Sequence, residues 1–113
     1  MANPTTRKRI GPTVGTGAAV TAYTVPSNTI ARLTQIHFAS SNTIGSSDNV
    51  AASIGTLGTG TALVPTTAVC PGGGTLDAYG APTGYMLAAA ETIQVKCPST
   101  CAWTLTIEET TLG

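Results

Sequence analysis

Apolar and polar residues alternate with a period of two at the carboxy-terminal end of the chain. Over residues 91–97, Ile93, Val95 and Cys97 alternate with Thr92, Gln94 and Lys96; over residues 102–109, Trp103, Leu105 and Ile107 alternate with Thr104, Thr106 and Glu108. Successive side chains of a strand point to opposite faces, so the pattern predicts two strands, each with one buried and one wet face. Only Pro98, Ser99 and Thr100 lie close to the junction, which leaves room for a tight reversal. That predicts an antiparallel hairpin whose apolar face needs a second sheet to cover it.

The same alternation recurs upstream. Residues 18–25 read as a strand, with Val20, Ala22 and Thr24 on one face and Tyr23 and Val25 on the other, ended by the turn residues Pro26, Ser27 and Asn28. Residues 29–39 form the longest candidate. Ile30, Ile36 and Phe38 share one parity and Leu33 the other, which predicts a bulge near Leu33 or Thr34. Shorter strands are expected at 50–54, at 61–64 (resuming toward Val69 after Pro65) and at 85–89. Residues 40–49 and 71–84 read as loops, the second long and glycine-rich, and long loops tend to be functional or mobile. The segment 86–91 has some helix propensity but is too short to stand alone. The sum is an all-β chain: an antiparallel β-sandwich or jelly roll of about seven or eight short strands. Residues 1–17, punctuated by Gly11, Pro12, Gly15 and Gly17, are set apart as an extended N-terminal arm, and 18–113 as the sandwich domain.

Composition changes this picture in one respect. The chain has 113 residues, enough for a single domain with its own core, yet only 9% are charged and the formal net charge is zero. A threonine- and serine-rich exterior that repels neighbours weakly suits packing against other subunits, the alternative being an extracellular or designed-like β domain with a neutral surface. No secretory pattern and no stretch of roughly 18 apolar residues is seen, so cytoplasmic synthesis and no membrane partner are expected. Three of the five basic residues are Arg7, Lys8 and Arg9. They read either as a solubilising tail or as arm contacts to an acidic surface of a neighbour. Three cations with no interleaved aromatic residue are too few for strong phosphate binding, so no nucleic-acid partner is expected.

Catalytic chemistry finds little to build on. Glu108 and Glu109 are adjacent on a strand and point to opposite faces, so they cannot work as an acid–base pair. Cys70 and His37 have no third residue to orient them, and His37 reads as an exposed or interface side chain. The glycine runs lack the Lys-Ser/Thr that completes a phosphate loop, and the carboxylates match no calcium loop. Of the three cysteines, Cys97 and Cys101 flank the reversal and are either thiols or partners in a late-forming bridge, while Cys70 reads as a small buried hydrophobe. No zinc spacing exists. The expectation is no enzyme, with no catalytic, cofactor-binding or metal-binding residues.

Two motifs carry a resemblance. Tyr23-Thr-Val-Pro-Ser-Asn-Thr-Ile-Ala-Arg-Leu-Thr-Gln-Ile-His37 and Gly84-Tyr-Met-Leu-Ala-Ala-Ala-Glu-Thr-Ile-Gln-Val95 resemble the opening and closing strands of small β-sandwich structural proteins of tailed bacteriophages. The acidic turn departs from their usual Gly-Asp, being Ala90-Glu91 here. The resemblance implies a virion component, most like a capsid decoration (cement) protein that, as a homo-oligomer (a trimer or dimer), binds the major capsid protein on the shell exterior and stabilises it across capsomer junctions. A tail, fibre or head–tail module that binds a glycan or receptor, or acts as a connector, is the alternative. Under this reading the contacts to a partner come from Arg7, Lys8 and Arg9, with Leu76, Asp77 and Tyr79 of the long loop as a second set, where exposed Leu and Tyr would serve as anchors.

Overall fold

A computed structural model describes residues 5–78 and 85–112. Eleven strands run in chain order: β1 Thr5–Val14, β2 Val20–Thr24, β3 Thr29–Ser40, β4 Ser47–Asn49, β5 Ala51–Ile54, β6 Thr61–Val64, β7 Val69–Pro71, β8 Thr75–Ala78, β9 Tyr85–Leu87, β10 Thr92–Lys96 and β11 Cys101–Thr111. One sheet has the order β1-β11-β3-β8, with β9 also paired to β3; the second has the order β2-β10-β5-β6, and β4 pairs with β7. All these pairings are antiparallel. The apolar faces of the two larger sheets meet in a core containing Leu33, Ile36, Phe38, Ile93, Val95, Trp103, Leu105 and Ile107. The chain is an all-β sandwich.

The bulge falls where the parity of β3 breaks. Thr106 lies opposite Gln35 while Ile107 lies opposite Leu33, so Thr34 is the extra residue. Before it Thr29, Ala31 and Leu33 face the core; after it Ile36, Phe38 and Ser40 do. The hydroxyl of buried Thr34 donates to the Thr106 carbonyl at 3.1 Å, giving the irregularity a bond of its own. Ile30 consequently sits on the outer face rather than sharing the core with Ile36.

Three expectations are corrected. Residues 91–97 and 102–109 do reverse at Pro98–Thr100, closed by the Cys101 N–H on the Pro98 carbonyl at 3.0 Å, but they are not a paired hairpin. β10 bonds to β2 and β5, and β11 to β1 and β3. The reversal is an arch from one sheet to the other, so the two apolar faces cover each other instead of lying side by side. The segment 71–84 is not loop throughout: residues 75–78 form β8, bonded to β3. The strand number exceeds seven or eight, because β1, β4, β7 and β8 join the seven expected. All three cysteines are buried free thiols.

The arm region is extended and is itself a strand. β1 lies along β11 with Arg7 opposite Glu108, Lys8 opposite Ile107 and Ile10 opposite Leu105. The register shifts at Gly11–Pro12, where Gly11 has φ +93° and a β-carbon would come within 2.7 Å of the Trp103 carbonyl oxygen. Glycine is required there for both reasons.

Candidate interaction surface

The outer face of the β1-β11-β3-β8 sheet carries half of the charged residues of the chain: Arg7, Arg9, Arg32, Asp77 and Glu108. Glu108, near the end of β11, receives Arg7 from β1 on one side and Arg32 from β3 on the other. The Arg7 Nη2 lies 3.1 Å from its Oε2, and the Arg32 Nη2 lies 2.7 Å from its Oε1. These bonds, Arg32 first and Arg7 second, hold the Glu108 carboxyl below the usual carboxylate range. Between Arg32, Glu108, Ile30, Met86, Thr5 and Thr110 lies a shallow open depression of about 300 Å³. Further along the same face, His37 Nδ1 and Gln35 Nε2 both meet the Asp77 carboxylate, Gln35 at 3.0 Å.

Glu109 turns the other way, as adjacent strand residues must. Its carboxylate takes the Tyr23 hydroxyl, which comes from β2 of the opposite sheet, and Lys8 Nζ at 3.5 Å. Burial, reinforced by the hydrogen bond to Glu109 and by its charge, pushes the Tyr23 phenol well up from its ordinary value. Lys8, Glu109 and Tyr23 thus close the sandwich along the β1 and β2 margin.

At the far end of β3, Asp48 of β4 is buried and fully bonded. It accepts from Ser40 Oγ at 2.6 Å, Thr100 Oγ1 at 2.8 Å and Asn42 Nδ2 at 3.0 Å. The Ser40 bond leads in holding its carboxyl below the usual range, against the opposing cost of burial. The remaining acid, Glu91, accepts the Ala88 N–H at 2.6 Å within its own turn. Each of the five carboxylates of the chain therefore has a structural partner. Near Asp48 the thiols of Cys70, Cys97 and Cys101 lie buried, and desolvation raises all three above an ordinary thiol. Protonated and covered, they are poor nucleophiles. Among the described residues no group of three or more His, Cys, Asp or Glu side chains is arranged to hold a metal ion.

The residues singled out from the sequence therefore divide. Arg7 and Lys8 are bonded to acids of their own chain, Glu108 and Glu109. Arg9 is exposed and makes no ion pair among the described residues. Asp77 is exposed on β8 beside His37, whereas Leu76, on the same strand rather than in a loop, is half-buried and packs against the core. Tyr79 lies outside the described residues. The sequence reading missed Glu108 and Glu109 as the seat of the arm; their position directly behind the last apolar strand residue was the available signal, but a pairing between residues 7 and 108 leaves no local trace.

No family model matches the chain, and no curated protein matches it. Among solved structures, its fold is similar to that of Bacillus endospore appendages described as a novel family of disulfide-linked pili. The TM-score is 0.55 at 12% identity, covering 98% of this chain and 91% of that chain. At that identity the likeness concerns the fold.

Proposed function

We propose that this chain is a non-enzymatic structural subunit, one that works by burying surface against other proteins and associates with further copies of itself. The observation that carries the proposal is the state of its ionisable groups. All five carboxylates are engaged in bonds that hold strands, turns or sheets together, and the three thiols are buried and kept protonated. Among the described residues the carboxylates are spent on these bonds and the thiols are covered, an arrangement that suits a structural role better than proton transfer or nucleophilic attack. The same bonds occupy Arg7, Arg32 and Asp77 on the outer sheet face, leaving exposed Arg9, threonine hydroxyls, Ile30 and Met86 as its partner-facing chemistry. Such a face is suited to close protein contact.

The setting we propose is the exterior of a bacteriophage capsid, where the two motifs at residues 23–37 and 84–95 place the resemblance. There the subunit would bridge capsomers, so that rupture of the shell must break its contacts as well. A second setting, a subunit of a protein fibre, draws on the sandwich it shares over nearly its whole length with the endospore pilus protein. Co-sedimentation of purified protein with emptied or expanded capsids tests the first, and electron microscopy of the protein alone at high concentration tests the second. Saturable capsid binding supports decoration; ordered filaments without capsids support the fibre. A protein that does neither, and instead turns over or binds a glycan, refutes the structural role.

A further inference from the structure

Resting on the assembly reading, we infer that β1 is an exchangeable strand: the β11 edge of one copy accepts β1 either from its own chain or from a second copy. β1 adds little to the core of the body. Among the described residues every buried apolar side chain of the core lies at position 23 or beyond, and β1 contributes half-buried Ile10 against that cluster. What holds β1 is the ladder with β11 and the pairs Arg7–Glu108 and Lys8–Glu109, and all of these contacts are reproduced identically when the strand arrives from another molecule. Exchange of an identical element is a low-cost route to association, because only the linker conformation differs between the two forms.

The linker is built for this. Residues 15–19 are Gly, Thr, Gly, Ala and Ala, small side chains that reach about 17 Å when extended. Gly15 is tightly seated, since a β-carbon there would come within 2.1 Å of the Cys97 carbonyl oxygen, whereas the linker otherwise runs beside an apolar slot of about 250 Å³ lined by Val14, Val20, Val95, Cys97 and Trp103. Gly17 has φ +84° and its N–H donates to the Cys97 carbonyl at 2.9 Å, yet a β-carbon there would meet nothing within 4 Å. The glycine serves the closed turn alone. The occupant we commit to is a second copy of this chain rather than an unrelated strand, because Arg7 of β1 lies directly opposite Glu108 and Lys8 reaches Glu109 diagonally at 3.5 Å. Pairing of two β1 edges with each other is disfavoured, since it would set Arg7, Lys8 and Arg9 against their own kind.

The test uses Thr5 and Thr110, whose hydroxyls lie 3.0 Å apart across β1 and β11. Full-length Thr5→Cys and Thr110→Cys variants, carrying different mass tags, are mixed and equilibrated with oxidised glutathione. Strand exchange gives a covalent T5C–T110C heterodimer about tenfold above a control mixture of T5C with Ile44→Cys, since docking raises the local thiol concentration. Gly17→Ala, which penalises only the closed turn, should raise that yield about five- to thirtyfold or to saturation. A yield equal to the control and unmoved by Gly17→Ala overturns the exchange. Sedimentation of the wild-type chain run alongside separates the two claims. Association without the heterodimer rejects exchange and leaves the assembly reading standing. A wild-type chain that stays single and gives no heterodimer counts against both.

Discussion

β11 has a neighbour on each side, and the two are attached by different physics. β3 runs along it through eleven register pairs from Thr29 to Ser40 and brings Leu33, Ile36 and Phe38 into a fully buried layer. β1 runs along the other edge with only Ile10 and Gly11 half-buried, held by backbone bonds and by Arg7 and Lys8 on the two terminal glutamates. One flank is held by the hydrophobic effect, which charge screening does not weaken; the other is held by groups that water and ions compete for. An identical ladder can therefore be permanent on one side and negotiable on the other.

The sharpest way to break that comparison is to damage the permanent side. Trp103→Ala, which empties a buried site facing the second sheet, should cost about 3–5 kcal/mol, and urea denaturation measures it. A loss below about 1 kcal/mol would mean the β11 core is not what holds the fold. Asp48→Asn should come next, at about 1–3 kcal/mol, because the amide cannot accept from Ser40, Asn42 and Thr100 together. Asp48 also fixes a pH signature. Its folded carboxyl titrates below the unfolded one, so its contribution is complete above about pH 5 and is lost as pH falls through the lowered folded value. Melting temperatures of wild type and Asp48→Asn should converge as the pH drops; parallel curves would refute the assignment.

Removing residues 1–14 sharpens the comparison from the other side. The body should stay folded, losing roughly 1 kcal/mol for half-buried Ile10, while its attachment to other copies or to a capsid falls. Unchanged occupancy after truncation would reject the role of β1. The smallest effect belongs to Arg7→Ala. Its partner Glu108 keeps Arg32, and both groups of the lost pair meet solvent, so the change should be slight in dilute buffer and disappear in molar salt.

Much of the permanent side was legible in the sequence, and little of the negotiable side was. The alternation in residues 102–109 gave β11 its buried face, Trp103 included, and the parity break around Leu33 gave the bulge at Thr34, because core burial writes itself into every second residue. β1 has no such rhythm. Its run of Thr, Arg, Lys and Gly-Pro is wet on both faces, so a docked edge strand and a loose arm read alike. The short Pro98–Thr100 connection announced a reversal but not its plane, and a hairpin and an arch between sheets need the same number of residues. β8 was hidden for a related reason. Gly72, Gly73 and Gly74 suggested loop, and the strand that follows is only four residues long, ordered by β3 rather than by its own pattern. At the surface, Arg7 and Lys8 were visible as candidate contacts, but their acidic seat lies a hundred residues away and only the folded ladder brings them together.

Amide hydrogen exchange on the full-length chain tests the asymmetry about β11 most directly. The amides of β1 that bond to β11 should exchange through a local opening, faster than those of Ile36 and Phe38 in β3, and should slow as protein concentration rises and partner copies take up the open edge. Protection of β1 equal to that of β3 and independent of concentration would contradict the account, because it would make β1 an integral part of one cooperative unit.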